Sequence, residues 1–148
     1  MKEKKYEIEN EVIRYAEESS MRYHLEERLV SHSVSVIEFC KDFPAGKIGD
    51  YFTDQLTRAT VSAALNYGEA QAAESLKDFV HKLKISLKEL REALVCLKIV
   101  NRSSIFSKVK NGHEIFQETN ELVSIFVSSV KTSQARINAE TNKPDRLK

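Results

Sequence analysis

The sequence predicts an all-α fold, and three observations carry that prediction. Apolar residues recur at helical spacing along four stretches. The cleanest is Leu76, Val80, Leu83, Leu87, Leu90, Leu94 and Leu97, with spacings that alternate between 4 and 3. Such a heptad seam marks a helix packed at a shallow angle against other helices. Residues that interrupt helices are scarce: four Gly and two Pro in 148 residues, with Pro44 and Pro144 both outside the periodic stretches. The stretch before the seam is separated from it only by Ala73–Ser75, so the two helices must run antiparallel. A chain of this length makes one domain and buries roughly 70% of its unfolded surface.

Residues 1–23 form a charged extension. Tyr6, Ile8, Val12, Ile13 and Tyr15 are sparse apolar marks among Glu and Lys. A short amphipathic helix over Glu3–Glu18 is expected there, broken at Ser19-Ser20. Residues 24–138 hold the packed helices. The first core helix is expected over His24–Asp42, with Leu25, Leu29, Val36, Ile37, Cys40 and Phe43 inward. Phe43-Pro44-Ala45-Gly46 stops it, because a residue before proline leaves the α region and glycine permits the turn.

The second helix is expected over Ile48–Ala72, with Asp50 as a candidate cap. The third is expected over Leu76–Val100, where Ser75 and Asp78 resemble a capping box. Asn101–Ser104 is a polar loop, Ile105–Lys110 a helical turn and Asn111-Gly112 a stop. The last helix is expected over His113–Ile137, with Ile115, Leu122, Phe126 and Val130 inward. Thr119, Ser124, Ser128, Ser129, Thr132 and Ser133 thread it; small residues allow close neighbours, or their hydroxyls bond back to the helix. Residues 139–148 are a polar, flexible tail carrying Pro144.

A net charge of +1 provides no global basic field for nucleic acid. Cys40 and Cys96 sit inside helical patterns, and two cysteines make no disulfide framework. They read as small core residues in a reduced cytosol. The charged start has no apolar signal-peptide region, and no apolar run approaches about 18 residues. A cytoplasmic protein without a membrane span is expected.

At about 100° per residue, Gln55, Arg58, Ser62, Asn66 and Glu69 fall in one arc of about 80° on the second helix. Phe52, Leu56, Ala59 and Ala63 flank one side, and Val61 and Leu65 the other. Two readings stand: a partly buried polar network fixing register or an oligomer contact, or a narrow exposed strip between two buried contacts. If the second and third helices fold back about residues 73–74, numbers at one level sum to roughly 147. Gln55 is then level with Glu92, Arg58 with Glu89, Asn66 with His81, and Glu69 with Lys77 or Asp78. Arg58–Glu89 is the natural ion pair, since a guanidinium fork suits a carboxylate.

Gln55–Glu69 resembles the second-helix motif of the bacterial four-helix bundle family, also called the 23S rRNA intervening-sequence protein family. A glutamine, Arg-Ala, a serine and Asn-x-x-Glu stand at Gln55, Arg58-Ala59, Ser62 and Asn66–Glu69. The likeness continues over Lys77–Glu89 with Arg91-Glu92, Thr119–Leu122 with Lys131-Thr132, and Phe43-Pro44, within residues 25–135. Ala64 stands where the family often has proline, and Gly68-Glu69-Ala70 where it has Ala-Glu-Gly. The resemblance implies an antiparallel up-down four-helix bundle assembled as a ring-shaped homopentamer, with no enzymatic activity. Some members lie within rRNA-gene insertions, and a basic branch serves diversity-generating retroelements beside the reverse transcriptase.

No P-loop, dinucleotide glycine motif, G-x-S-x-G or H-E-x-x-H occurs. His24, His32, His81 and His113 stand singly, without the Glu-x-x-His pairs of carboxylate bundles. No catalytic residue, cofactor site or metal site is therefore expected. Two function classes survive. One is a homo-oligomeric structural or protein-interaction module. The other, less favoured, is an RNA- or DNA-binding accessory. Lys77, Lys84, Lys88 and Arg91 share a broad face of the third helix and would meet a partner or nucleic acid, unless they are simply solvated. No aromatic residues interleave with them for base stacking.

Assembly is expected from surplus apolar surface. The second helix carries Val61 and Leu65 beyond its main stripe. The last helix carries Phe116, Val123, Val127 and Val130 beyond Ile115, Leu122 and Phe126. Two different patches meeting between copies make a heterologous contact, which closes only as a ring.

Overall fold

Runs free of proline and of breaking glycines become four helices: α1 (Lys2–Cys40), α2 (Lys47–Gln71), α3 (Leu76–Arg102) and α4 (Gly112–Thr141). A single 3-10 turn, Ser104–Phe106, lies between α3 and α4. The computed structural model describes the backbone of residues 2–142, and side chains from residue 13 to 142 except 15 and 19. Among the described residues there is no strand. Each connection is short, so the helices run alternately up and down. α2 packs on α1 and α3, and α3 packs on α4; α1 and α4 touch least.

The expected break at Ser19-Ser20 is absent, and α1 is one helix of 39 residues. Serine is only a mediocre helix former and still donates its backbone N–H, so two in succession do not end a helix. At 1.5 Å per residue, α1 outruns the 25-residue α2 by roughly 20 Å. The Tyr67 hydroxyl lies 3.5 Å from the Arg22 carbonyl oxygen, four residues before α2 ends at Gln71. Most of the extension therefore runs past the α2–α3 turn. Of its apolar marks, Tyr6, Ile8, Val12 and Tyr15 lie outside the described side chains, and Ile13 is exposed.

Caps decide the other boundaries. Gly46, at φ 115, opens α2, so the cap is this glycine and not Asp50, which sits in the first turn. The Ser75 hydroxyl accepts from the Asp78 amide at 3.1 Å, as the capping-box spacing suggests. α3 continues through Asn101 and Arg102 into what reads as loop, and the turn after it is shorter than Ile105–Lys110. Asn111, at φ 68, precedes Gly112, which starts α4. α4 continues through Thr141 where a tail from residue 139 is expected; Pro144 and its neighbours lie outside the described residues.

The core forms two clusters along the bundle. One gathers Val36, Phe39, Leu56, Leu97 and Phe106 among others, with Phe43 and Phe52 packed against it. Phe106 meets Phe43 and Phe52 edge-on, at centroid distances of 4.8 and 5.6 Å. The other gathers Leu29, Tyr67, Leu83, Leu90, Leu122 and Phe126. On α1, Ile37 points outward instead of inward, and Phe39 takes its place in the core.

The inward face of α3 is turned from the leucine seam. Val80, Leu83, Ser86, Leu90, Ala93, Leu97 and Val100 are buried, while Leu76, Leu87 and Leu94 stand at its edges. Ser86 and Ala93 are small, as are Ala59 and Ala63 across from them, so the backbones approach closely. The Ser86 hydroxyl donates to the Ala63 carbonyl at 2.9 Å.

Candidate functional site

Two residues of the polar stripe of α2, Gln55 and Arg58, border the groove between α2 and α3. Arg58 donates to Glu89 at 3.1 Å, to Glu92 at 2.7 Å and to the Gln55 side-chain amide oxygen at 3.4 Å. Two carboxylates raise the basicity of the guanidinium, chiefly through the Glu92 hydrogen bond. The Asn66 amide donates to the Ser62 carbonyl at 2.9 Å and reaches its hydroxyl at 3.3 Å. Glu69 pairs with Lys82, not with Lys77 or Asp78. The Arg58 side chain is 51% exposed. On the single chain neither reading fits whole: Arg58 and Glu69 are exposed, Gln55, Ser62 and Asn66 are half-buried, and the flank of Leu56, Ala59 and Ala63 is buried while Val61 and Leu65 are exposed.

Lys77, Lys84, Lys88 and Arg91 are spread along the outward side of α3, all four exposed. Three of them, Lys84, Lys88 and Arg91, share with Arg58 the wall of one groove of about 940 Å³. The groove also exposes Tyr51, Val95 and Ile99. Two features read separately from the sequence thus meet in one place, with Lys77 left outside. Lys84 donates to the Gln134 amide oxygen of α4 at 3.2 Å.

A second polar cluster, between α1 and α4, has no sequence signal. Arg28 grips Glu118 with two bonds of 2.7 and 2.9 Å and reaches Glu121 at 2.6 Å. The Arg28 hydrogen bond holds the Glu118 carboxyl below its ordinary value. One turn along α1, His32 is buried against Thr119. Burial pushes the Cys40 thiol up to about 11 and raises that of Cys96, so neither is an activated nucleophile. Among the described residues, no three His, Cys, Asp or Glu side chains gather as a metal site would require. Nor is any helix among them long and apolar enough to cross a membrane.

A family model described as 23S rRNA-intervening sequence protein matches residues 27–128, well over half of the chain. The chain belongs to that family. The matched span holds the α2–α3 groove, the whole polar stripe and all four lysine-face residues. It leaves out the first 26 residues and the end of α4. The bundle is also similar to a crystal structure, at 1.70 Å resolution, of a protein of unknown function from the S23 ribosomal protein family of Bacteroides thetaiotaomicron VPI-5482. The TM-score is 0.63 at 22% identity, over 74% of this chain and 97% of that one. At that identity the likeness speaks for the fold. No curated protein matches the chain.

Proposed function

We propose that this chain is a non-enzymatic, homo-oligomeric interaction module of the bacterial cytoplasm, assembled as a ring. The observation that carries the reading is apolar side chains left exposed on two different faces. Val30, Val34 and Ile37 form a row at helical spacing on α1. Ile48 and Tyr51 of α2, with Val95 and Ile99 of α3, form a patch elsewhere. α1 and α3 are diagonal in the bundle, so the row and the patch face different ways. A patch that meets a different patch on the next copy makes a heterologous contact, and such contacts close as rings. On α2, Val61 and Leu65 are exposed as expected. On α4, Phe116, Val123, Val127 and Val130 are half-buried within the chain, so α1 takes that helix's expected role. A subunit number of five comes from the family resemblance alone. Light scattering on the purified chain tests the assembly. A mass equal to the chain's own 16.9 kDa overturns it, and a dimer mass overturns the ring.

A second reading has its own support. Lys84, Lys88 and Arg91 gather positive charge along one groove, beside Arg58, whose own charge is met by Glu89 and Glu92. That arrangement suits an RNA or DNA backbone, as an accessory beside an rRNA insertion or a retroelement reverse transcriptase would need. Neutralising several phosphates would make binding fall steeply with salt. RNA affinity with no salt slope removes this reading.

A further inference from the structure

Toward the end of the bundle away from the Phe43, Phe52 and Phe106 cluster, α1 and α4 part. They leave a cleft of about 580 Å³ that reaches α2 and α3. Its floor is apolar: Leu25, Tyr67, Phe79, Leu83 and Ile125, with every helix contributing. Its rim is cationic. Arg22 and Arg28 border it from α1, and Arg136 from α4. Glu18 is the only carboxylate on it among the described residues.

The three arginines differ. Arg28 is already neutralised by Glu118 and Glu121. Arg22 and Arg136 make no ion pair among the described residues. The Arg22 guanidinium stands over the Phe79 ring, 5.6 Å from its centroid, which keeps the charge at the mouth of the cleft.

The α4 wall adds hydroxyls with spare capacity. A helical serine commonly donates to the carbonyl four residues back, and Ser124 and Ser129 do so. Ser128, Thr132 and Ser133 line the same cleft and make no such bond among the described residues. Ser128 and Thr132 are exposed and Ser133 lies deeper, so the hydroxyls step down this wall of the cleft, free to bond a ligand there.

We propose that this cleft binds a small amphiphilic anion. Arg22, Arg136 and the α4 hydroxyls hold its carboxylate or phosphate head, and its hydrocarbon body lies on the Leu25, Phe79, Leu83 and Ile125 floor. The volume falls in the range of small-molecule sites, about 300–1,000 Å³, and clefts between bundle helices are a usual place for them. A simple inorganic anion would leave the floor wet, and a neutral lipid would leave two guanidinium groups unanswered. The site shares no residue with the α2–α3 groove.

Calorimetric titration of the full chain with dodecanoate, dodecyl phosphate and dodecanol tests this, each below its micellar concentration. The two anions are expected to saturate at one per chain, and the tighter of them identifies the head group. Arg22→Ala with Arg136→Ala should weaken both anions at least tenfold and leave dodecanol unchanged. Both arginines are exposed, so the double variant folds, and circular dichroism checks it. Lys88→Ala, in the other groove, should change nothing. The chain has no tryptophan, so Phe79→Trp places a single reporter on the floor, whose emission should shift blue on binding. Dodecanol binding as tightly as the anions overturns the proposal. So does an unaltered double variant, a stoichiometry well above one, or a Phe79→Trp variant whose emission stays unchanged.

Discussion

Acid should weaken this bundle through His32. The ring is 3% exposed between α1 and α4. Its Nε2 lies 3.0 Å from the Thr119 hydroxyl, which itself donates to the Ile115 carbonyl at 2.8 Å. With the hydroxyl proton so engaged, Nε2 carries the hydrogen and donates to Thr119, a tautomer assigned from the network. Nδ1 is then the bare nitrogen, buried and without a partner among the described residues. Protonating it would bury a charge and an unmatched N–H. Burial accordingly holds the imidazole below its ordinary 6.5; Glu118 opposes this and Arg28 adds to it.

The unfolded chain takes up this proton near pH 6.5 and the folded chain does not. Stability from neutral His32 is therefore complete above that pH and is lost as pH falls below it. Between pH 7.5 and 5.5 the loss reaches up to about 1.4 kcal/mol, the limit for one histidine that stays neutral when folded. Glu118 has the depressed pKa, so its contribution is lost only at lower pH, below its ordinary 4.5. Urea unfolding at pH 7.5, 6.5 and 5.5 measures the effect, with His32→Leu as the comparison. The variant should lose less on acidification than the parent. Equal losses in both would refute the assignment.

Phe126 is fully buried and meets Tyr67 edge-on at 5.6 Å, so Phe126→Ala should cost about 3–5 kcal/mol in urea unfolding. A loss well under this range would mean the Leu29–Leu122 cluster collapses into the space. Ser86→Leu restores an apolar residue to the core line, yet it should destabilise by about 1–3 kcal/mol, because α2 and α3 meet there through Ala63. A raised urea midpoint would show that the helices have room to part. Arg58→Ala should lower the urea midpoint only slightly, since the guanidinium is half exposed, and Arg58→Ala with Glu89→Gln should lower it no further. A large drop in both variants would place Arg58 inside a contact between subunits, whereas a drop in Arg58→Ala alone would trace to the Glu89 carboxylate, 12% exposed, left unpaired.

The sequence carries the α2–α3 pairing because the connection is short. Once the turn is placed, levels follow, and Arg58 does meet Glu89. Glu69 meets Lys82, about one helical turn along α3 from the level that counting assigns. The α1–α4 pairing has no such guide. Its helices are the first and last in the chain, and no loop ties one to the other. Arg28 with Glu118, and His32 with Thr119, could not be matched by counting. The rotation of α3 escapes for a different reason. A hydrophobic pattern rewards Leu87 and Leu94, but close backbone approach rewards Ser86 and Ala93. Side-chain size sets that face, and periodicity alone does not register it.

The two ends of the bundle are built differently. At one end the connection from α3 to α4 folds over the core, and Phe106 closes it against Phe43 and Phe52. At the other end the only nearby connection is the short α2–α3 turn, which does not bridge α1 and α4. That is why the cleft opens there. Its floor residues Tyr67, Phe79, Leu83 and Ile125 lie within the family-matched span, where any such bundle needs apolar packing. Arg22, Thr132, Ser133 and Arg136 lie beyond that span, on the parts of α1 and α4 outside the match. Packing makes no demand for arginines and unbonded hydroxyls at those places. The floor, Leu25 apart, therefore lies where the family's packing accounts for it, and the two unpaired arginines and the deepest hydroxyl of the proposed site lie where that packing does not.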